Sequence, residues 1–182
     1  MDTRTTYITD LIRRRRSIGP KLFDEEKIPN DLVAELVENA CWAPNHKKTE
    51  PWRYYVFADA GKVQLADFFA EAYDATFAGS EKFSEKKRGD LQKKVQRSSH
   101  VIAICMQRDP DERLPEWEEL AAVSTGVQNL WLSATAHGLG GYWSSPGYLM
   151  EAFGSWQHLP AGQRCLGFFY LGVPRPGLEL PG

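Results

Sequence analysis

The sequence predicts an α+β fold built as one domain over residues 1–182. Three observations carry this reading. Short apolar runs of strand length are separated by longer segments with helical period. The alternation keeps no regular βαβ cadence. No glycine-rich phosphate fingerprint sits between a strand and a helix, which argues against a doubly wound dinucleotide fold. The length suits a single core, and no repeat, low-complexity tract or linker divides it.

The first segment, Thr5 to about Arg15, places Ile8, Leu11, Ile12 and Arg15 at helical spacing. It runs into Arg13-Arg14-Arg15-Arg16-Ser17, and Gly19-Pro20 stops it. Asn30 or Asp31 caps a second helix after Pro29, with Leu32, Val33, Leu36, Val37 and Ala40 as its buried stripe. Pro44 ends that helix and leaves Ala43-Pro44-Asn45-His46-Lys47 as a loop. Arg53 to Ala58 is rich in β-formers and reads as a strand.

Lys62 to Phe77 reads as helix, with Val63, Leu65, Ala66, Phe69 and Tyr73 available for burial. Ser80 to Arg97 is Lys-rich and reads as an exposed helix or a mobile lid over a pocket. Val101 to Met106 is a continuous apolar run of buried-strand length. Trp117 to His137 is the longest helical segment, its stripe formed by Leu120, Val123, Val127, Leu130, Trp131 and Ala134. Its second face carries Ala121, Ala122, Ser124, Thr125, Gly126 and Ser133, small residues that let another backbone approach. Gly138 terminates it. Gly140 to Ser145 reads as a loop and short extended piece, Tyr148 to Phe153 as a short helix closed by Gly154, and Leu166 to Leu171 as the last strand. A Pro/Gly-rich tail follows.

Composition excludes several classes. Hydrophobic residues make up 42%, enough for a packed core. The net charge of −2 argues against a nucleic-acid binder. Cys41, Cys105 and Cys165 are isolated and form no zinc or disulfide pattern, so no metal site is expected. No apolar run approaches the roughly 20 residues that span a bilayer. The amino-terminal segment is polar and lacks a signal-peptide core, so the expected location is cytoplasmic, with no membrane partner.

Several segments, taken together and in order, resemble the nitroreductase family. They are Arg15-Arg16-Ser17, then Ala43 to Lys47 followed by Pro51-Trp52-Arg53, then Trp117-Glu118-Glu119 with Gln128-Asn129. Gly138 to Ser145, Glu151-Ala152-Phe153-Gly154 and Gly167 to Pro174 complete the series. The short length and the APNHK loop resemble the compact FMN-dependent NAD(P)H subfamily. The resemblance implies a central, mostly antiparallel sheet surrounded by helices, and a homodimer formed through long helices. It also implies FMN at the subunit interface and NADH or NADPH as electron donor. The implied reaction is ping-pong hydride transfer through flavin N5 to nitroaromatics, quinones or related electron-poor acceptors. A flavin-binding or interaction protein without efficient turnover is the alternative.

FMN needs cations for its phosphate, a flat slot for its ring and donors for its polar edge. The resemblance gives Arg15, Arg16 and Ser17 much of that polar contact, a guanidinium being suited to phosphate by two parallel hydrogen bonds. The plain alternative is a solvated helix end, where cations are favourable on their own. Arg13 and Arg14 are expected to stay on the surface. Trp42 and His46 match positions that approach the flavin, His46 from the partner subunit; the alternatives are a core tryptophan and an exposed loop histidine. Trp143, Ser144 and Ser145 match a loop that wraps the flavin; the alternative for Trp143 is a core aromatic on a short strand. Ser144 stands where an arginine often occurs, so one phosphate-binding cation is missing there.

Ser133, Ala134, Thr135, Ala136, His137 and Gly138 match a segment given nicotinamide contacts, although a helix end followed by glycine needs no such role. Glu116, Glu118 and Glu119 are explained by the helix dipole. Asp109, Asp111, Glu112 and Glu116, around Pro110 and Pro115, read as a surface loop. The flavin carries the chemistry in such enzymes, so no catalytic side chain is assigned.

Overall fold

The computed structural model describes residues 3–178. Six α-helices surround one sheet: α1 (Thr3–Arg14), α2 (Asn30–Ala40), α3 (Asp59–Phe77), α4 (Glu85–Arg97), α5 (Glu116–Ala136) and α6 (Gly147–Trp156). The strands are β1 (Trp52–Phe57), β2 (His100–Gln107), β3 (Gly140–Ser144) and β4 (Gln163–Gly172). They run in the order β1-β2-β4-β3, every pair antiparallel. The expected α+β class and antiparallel sheet are therefore what the chain forms. No helix among the described residues is long and apolar enough to cross a membrane.

The central strands read as unbroken apolar runs because both sheet faces are covered. Ile102, Ile104, Met106, Phe169 and Leu171 point to one face and pack with α2 and α5. Val101, Ala103, Cys105, Phe168 and Tyr170 point to the other and pack with α3, α4 and α6. Successive residues alternate between the two layers, as strand geometry requires.

Close approach is set at two glycines. A Cβ on Gly126 would stand 2.7 Å from the Tyr54 hydroxyl and 2.8 Å from the Ala40 carbonyl, so α5 lies directly on the end of α2. Among the small residues of α5, this one makes the expected backbone approach, whereas Ala121 and Thr125 face outward. Gly167 has φ +135 beside a shift in the β2–β4 register, and a Cβ there would stand 2.5 Å from Trp143 Nε1.

Several local expectations are corrected. Helix α1 ends at Arg14, short of the expected stop at Gly19-Pro20, so Arg15-Arg16-Ser17 lie beyond it. Pro29, not Asn30 or Asp31, occupies the N-cap of α2, and Asn30 Oδ1 instead meets His100 Nε2 at 2.8 Å. Val63 is exposed because the buried residues of α3 lie on other sides of that helix. The piece from Gly140 is a full strand. Gly154 lies inside α6, which continues until Trp156 stacks on Phe68 at 4.6 Å. Ser80–Arg97 resolves as the exposed-helix alternative, with Ser84 accepting the Lys87 N–H as N-cap.

The acidic residues before α5 also differ from expectation. Glu119 is buried and paired with Arg108, and it accepts the Asp109 N–H at 2.9 Å. Asp109 is buried rather than part of an open loop, held by the Arg113 guanidinium at 2.8 and 2.9 Å. Glu116 meets Arg164 at 2.9 Å. These carboxylates have specific partners beyond the helix dipole.

Candidate functional site

The segment after α1 is fixed against the sheet edge. The Ile18 N–H donates to the Gly141 carbonyl at 2.9 Å, and Ser17 forms a parallel bridge with Gly141 of β3. This brings Arg15, Arg16 and Ser17 beside the strand that carries Trp143 and Ser144. Arg15 lies over the Trp131 ring, 4.6 Å from its centroid. Arg16 Nη1 donates to the Arg13 and Arg15 carbonyls. Ser17 is exposed.

A pocket of about 310 Å³ opens beside this segment, between Arg14, Arg16, Thr135, Gly138 and the chain after β4. Arg175 lines it too, its N–H bound to the Leu22 carbonyl at 2.9 Å and its Nε to the Phe23 carbonyl at 3.2 Å. Arg14, Arg16 and Arg175 supply three guanidinium groups, and no carboxylate among the described residues lines the pocket. Such a site favours a multiply charged oxyanion. Arg14 was expected on the surface; it is exposed and paired with Asp10 at 2.8 Å, yet it also forms this wall. Arg175 carried no local signal, because a cation in a Pro/Gly tail has no periodic context.

Ser144 is partly exposed and Ser145 exposed at the end of β3. The indole Nε1 atoms of Trp131 and Trp143 are buried and have no hydrogen-bond partner among the described residues. Both stand against glycines that approach too closely for any side chain, Gly141 and Gly167. The tryptophans therefore shape the sheet edge on which the arginine segment rests.

Trp42 and His46 lie elsewhere. Trp42 follows α2 and is 79% exposed, which removes the core alternative. His46 is exposed, with Nδ1 2.8 Å from Glu118 Oε2, and it lines a shallow pocket with Trp117, Ala121 and Thr125. The expected nicotinamide segment is mixed in character. Ala134 is fully buried in the core, and Ser133 accepts from Asn39 Nδ2 at 3.3 Å, so both serve packing against α2. His137 caps α5, and Gly138 follows with φ +72. Ala136 is exposed, and only Thr135 and Gly138 of this segment reach the arginine pocket.

The nitroreductase family model matches residues 12–173. The chain belongs to the nitroreductase family. It is 35% identical over 143 residues to "Putative NAD(P)H nitroreductase YfhC" of Bacillus subtilis (strain 168), covering 77% of this chain and 70% of that protein. A nitroreductase-like family protein from Bacillus cereus shares the fold with a TM-score of 0.77 and 30% identity, over 96% of this chain and 89% of the other. A nitroreductase with bound FMN from Bacteroides fragilis superposes with a TM-score of 0.66 at 17% identity, over 96% of this chain and 92% of the other, and extends the likeness of fold.

Proposed function

We propose that the chain, acting as one domain, is an FMN-dependent oxidoreductase that uses NADH or NADPH to reduce small electron-poor molecules such as nitroaromatics and quinones. The observation that carries the reading is the pocket of three guanidinium groups beside Ser17 and β3. Its charge and size suit the phosphate of FMN. Arg14, Arg16 and Arg175 would hold that phosphate, Arg15 on the Trp131 ring would add a cation next to Arg16 in the chain, and the Ser17 hydroxyl would add a donor. Arg175 supplies a cation that Ser144 does not. Trp143 to Ser145 would border the ring, where small hydroxyls and backbone N–H groups serve its polar edge. FMN held there would supply the redox chemistry between the reduced nicotinamide and the acceptor. The side chains bind and orient, and none is assigned a proton-transfer role.

A second copy of the chain completes the site in this reading. His46 stands at the first turn of α5 through Glu118, and the arginine pocket at its last turn through Thr135. At the helical rise these positions lie about 25 Å apart, farther than one FMN reaches. His46 therefore serves the flavin of a partner, not its own. The exposed Ile8, Ile12, Trp42 and Trp117 support a paired apolar surface. The homodimer belongs in the cytoplasm.

The test is an anaerobic visible spectrum of the purified protein after FMN addition and desalting, followed by each nucleotide. A retained flavin band that NADH or NADPH bleaches is the expected result. Loss of the band on desalting sinks the flavin assignment, and a retained band that neither nucleotide bleaches sinks the reductase.

A further inference from the structure

A second pocket, of about 910 Å³, opens where α3 and α4 meet the start of α6. None of the candidate cofactor residues lines it. Its walls are the rings of Tyr73, Phe77, Phe83 and Tyr148. Tyr73 stands 4.9 Å from Phe77 and 5.7 Å from Phe83, and Phe77 stands 5.2 Å from Tyr148. The turn beside them is tied down. The Tyr73 hydroxyl accepts the Ser84 N–H at 3.0 Å and donates to the Lys82 carbonyl at 3.3 Å. Arg88 Nε binds both Asp74 oxygens, at 2.9 and 2.8 Å, and fastens α4 to α3. The aromatic walls are preformed, which lowers the entropic cost of filling them.

The rim is cationic. Lys21, Lys82, Lys87 and Lys94 line it against Glu81 and Asp90, an excess of two positive charges. None of the four ammonium groups joins an ion pair among the described residues. Lysines on an exposed helix are ordinarily just solvated. Here they border a slot of four rings, and that combination selects for shape and charge together. A flat ring fits edge-to-face or offset against the aromatic walls. An anionic substituent on it then meets the ammonium groups at the rim.

Two of its lining residues lie near the candidate cofactor segments in sequence. Lys21 follows Ser17 by four residues, and Tyr148 follows Ser145 by three. We propose that this pocket binds planar aromatic anions, aromatic carboxylates among them, and so gives the enzyme a preference for anionic acceptors. The second half rests on the flavin-reductase reading, and the first half does not.

Calorimetric titration of the full chain with 4-nitrobenzoate and with neutral 4-nitrobenzamide tests the pocket. The carboxylate should bind about tenfold more tightly than the amide, from partly exposed charge contacts. The double variant Lys87→Gln/Lys94→Gln should bring the two affinities together and leave the amide unchanged. Lys87 is exposed and Lys94 half-buried on α4, where glutamine is a good helix former. Equal affinities in the unaltered protein, a preference that survives in the variant, or no binding of either compound overturns the pocket. With the same pair as acceptors for NADH oxidation, KM for the carboxylate should be about tenfold lower, and the variant should remove that advantage with kcat unchanged. Selective binding without turnover overturns the acceptor role and the reductase reading while the pocket stands.

Discussion

The guanidinium carbon of Arg15 sits 4.6 Å above the centre of the Trp131 ring, and that ring meets Phe169 edge-on at 5.1 Å. A side chain just beyond α1 is thereby aligned by an aromatic column rising from the central strand. A planar guanidinium can lie flat on such a ring, which a lysine ammonium cannot reproduce. Arg15→Lys should weaken FMN binding about tenfold and change stability by less than about 1 kcal/mol. Fluorescence titration with FMN, beside urea unfolding of the same variant, checks both halves. Unchanged FMN affinity would leave Arg15 a purely structural role.

Arg175 yields a sharper test, because its proposed partner is the phosphate alone. Arg175→Ala should lower FMN affinity at least about tenfold. Riboflavin, which lacks the phosphate, should bind variant and parent alike. An equal loss for both flavins would show that the substitution disturbs the ring site or the chain after β4.

How far the site could be read from sequence depends on the range of the contacts that build it. The runs VIAICM and LGFFYL announced buried strands because helices cover both faces of the sheet. The α5 stripe is equally plain at Val123, Val127 and Leu130, which face a single core, but Leu120 at its start is exposed. Val63 departs from the expected burial because the buried residues of α3 meet the sheet, α4 and α6 on several sides, which blurs its period. Arg175 was invisible. It reaches the arginine pocket only because β4 pairs within the sheet and the following chain bonds to Leu22 and Phe23. The residues that the family resemblance implies separate in space: Ser17 bridges to β3, His46 meets Glu118 in the first turn of α5, and Trp42 stands exposed just after α2.

Gly126 tests the packing that sets the α2–α5 angle. A methyl group there would meet the Tyr54 hydroxyl and the Ala40 carbonyl, one of them backbone that cannot step aside. Gly126→Ala should therefore destabilise by about 1–3 kcal/mol despite the better helix propensity of alanine. Chemical unfolding measures this, and a stabilised variant would contradict the close approach.

Asp109 makes stability depend on pH. Hydrogen bonds from the Arg113 guanidinium hold its carboxyl down to about 2, against an ordinary 3.8. The unfolded chain then binds more protons between those values. The stabilisation is complete above the ordinary value and is lost as pH falls through the folded one. Arg113→Ala should be less stable than the parent at neutral pH. The gap should narrow as pH falls from about 4 to about 2. Urea unfolding across that range is the measurement, and a constant gap would assign the loss to something other than this pair.

Glu119 and Arg108 pose the last question, whether a buried ion pair stabilises this fold or only avoids a penalty. Glu119 is fully enclosed, and its two oxygens are committed to Arg108 and to the Asp109 N–H. Arg108 also donates to the Leu114 carbonyl, so the pair pins the loop that leads into α5. Removing one partner strands the other in a low-dielectric setting. Glu119→Ala should therefore cost about 3–5 kcal/mol. Removing both with apolar residues of similar volume strands no charge. Arg108→Met/Glu119→Leu should thus recover most of the loss. The recovery is incomplete if the Asp109 N–H and Leu114 carbonyl find no water. A double-mutant cycle by chemical unfolding decides it. A double variant as unstable as Glu119→Ala would mean that the pair's hydrogen bonds to the loop, rather than its charges, hold the entrance to α5.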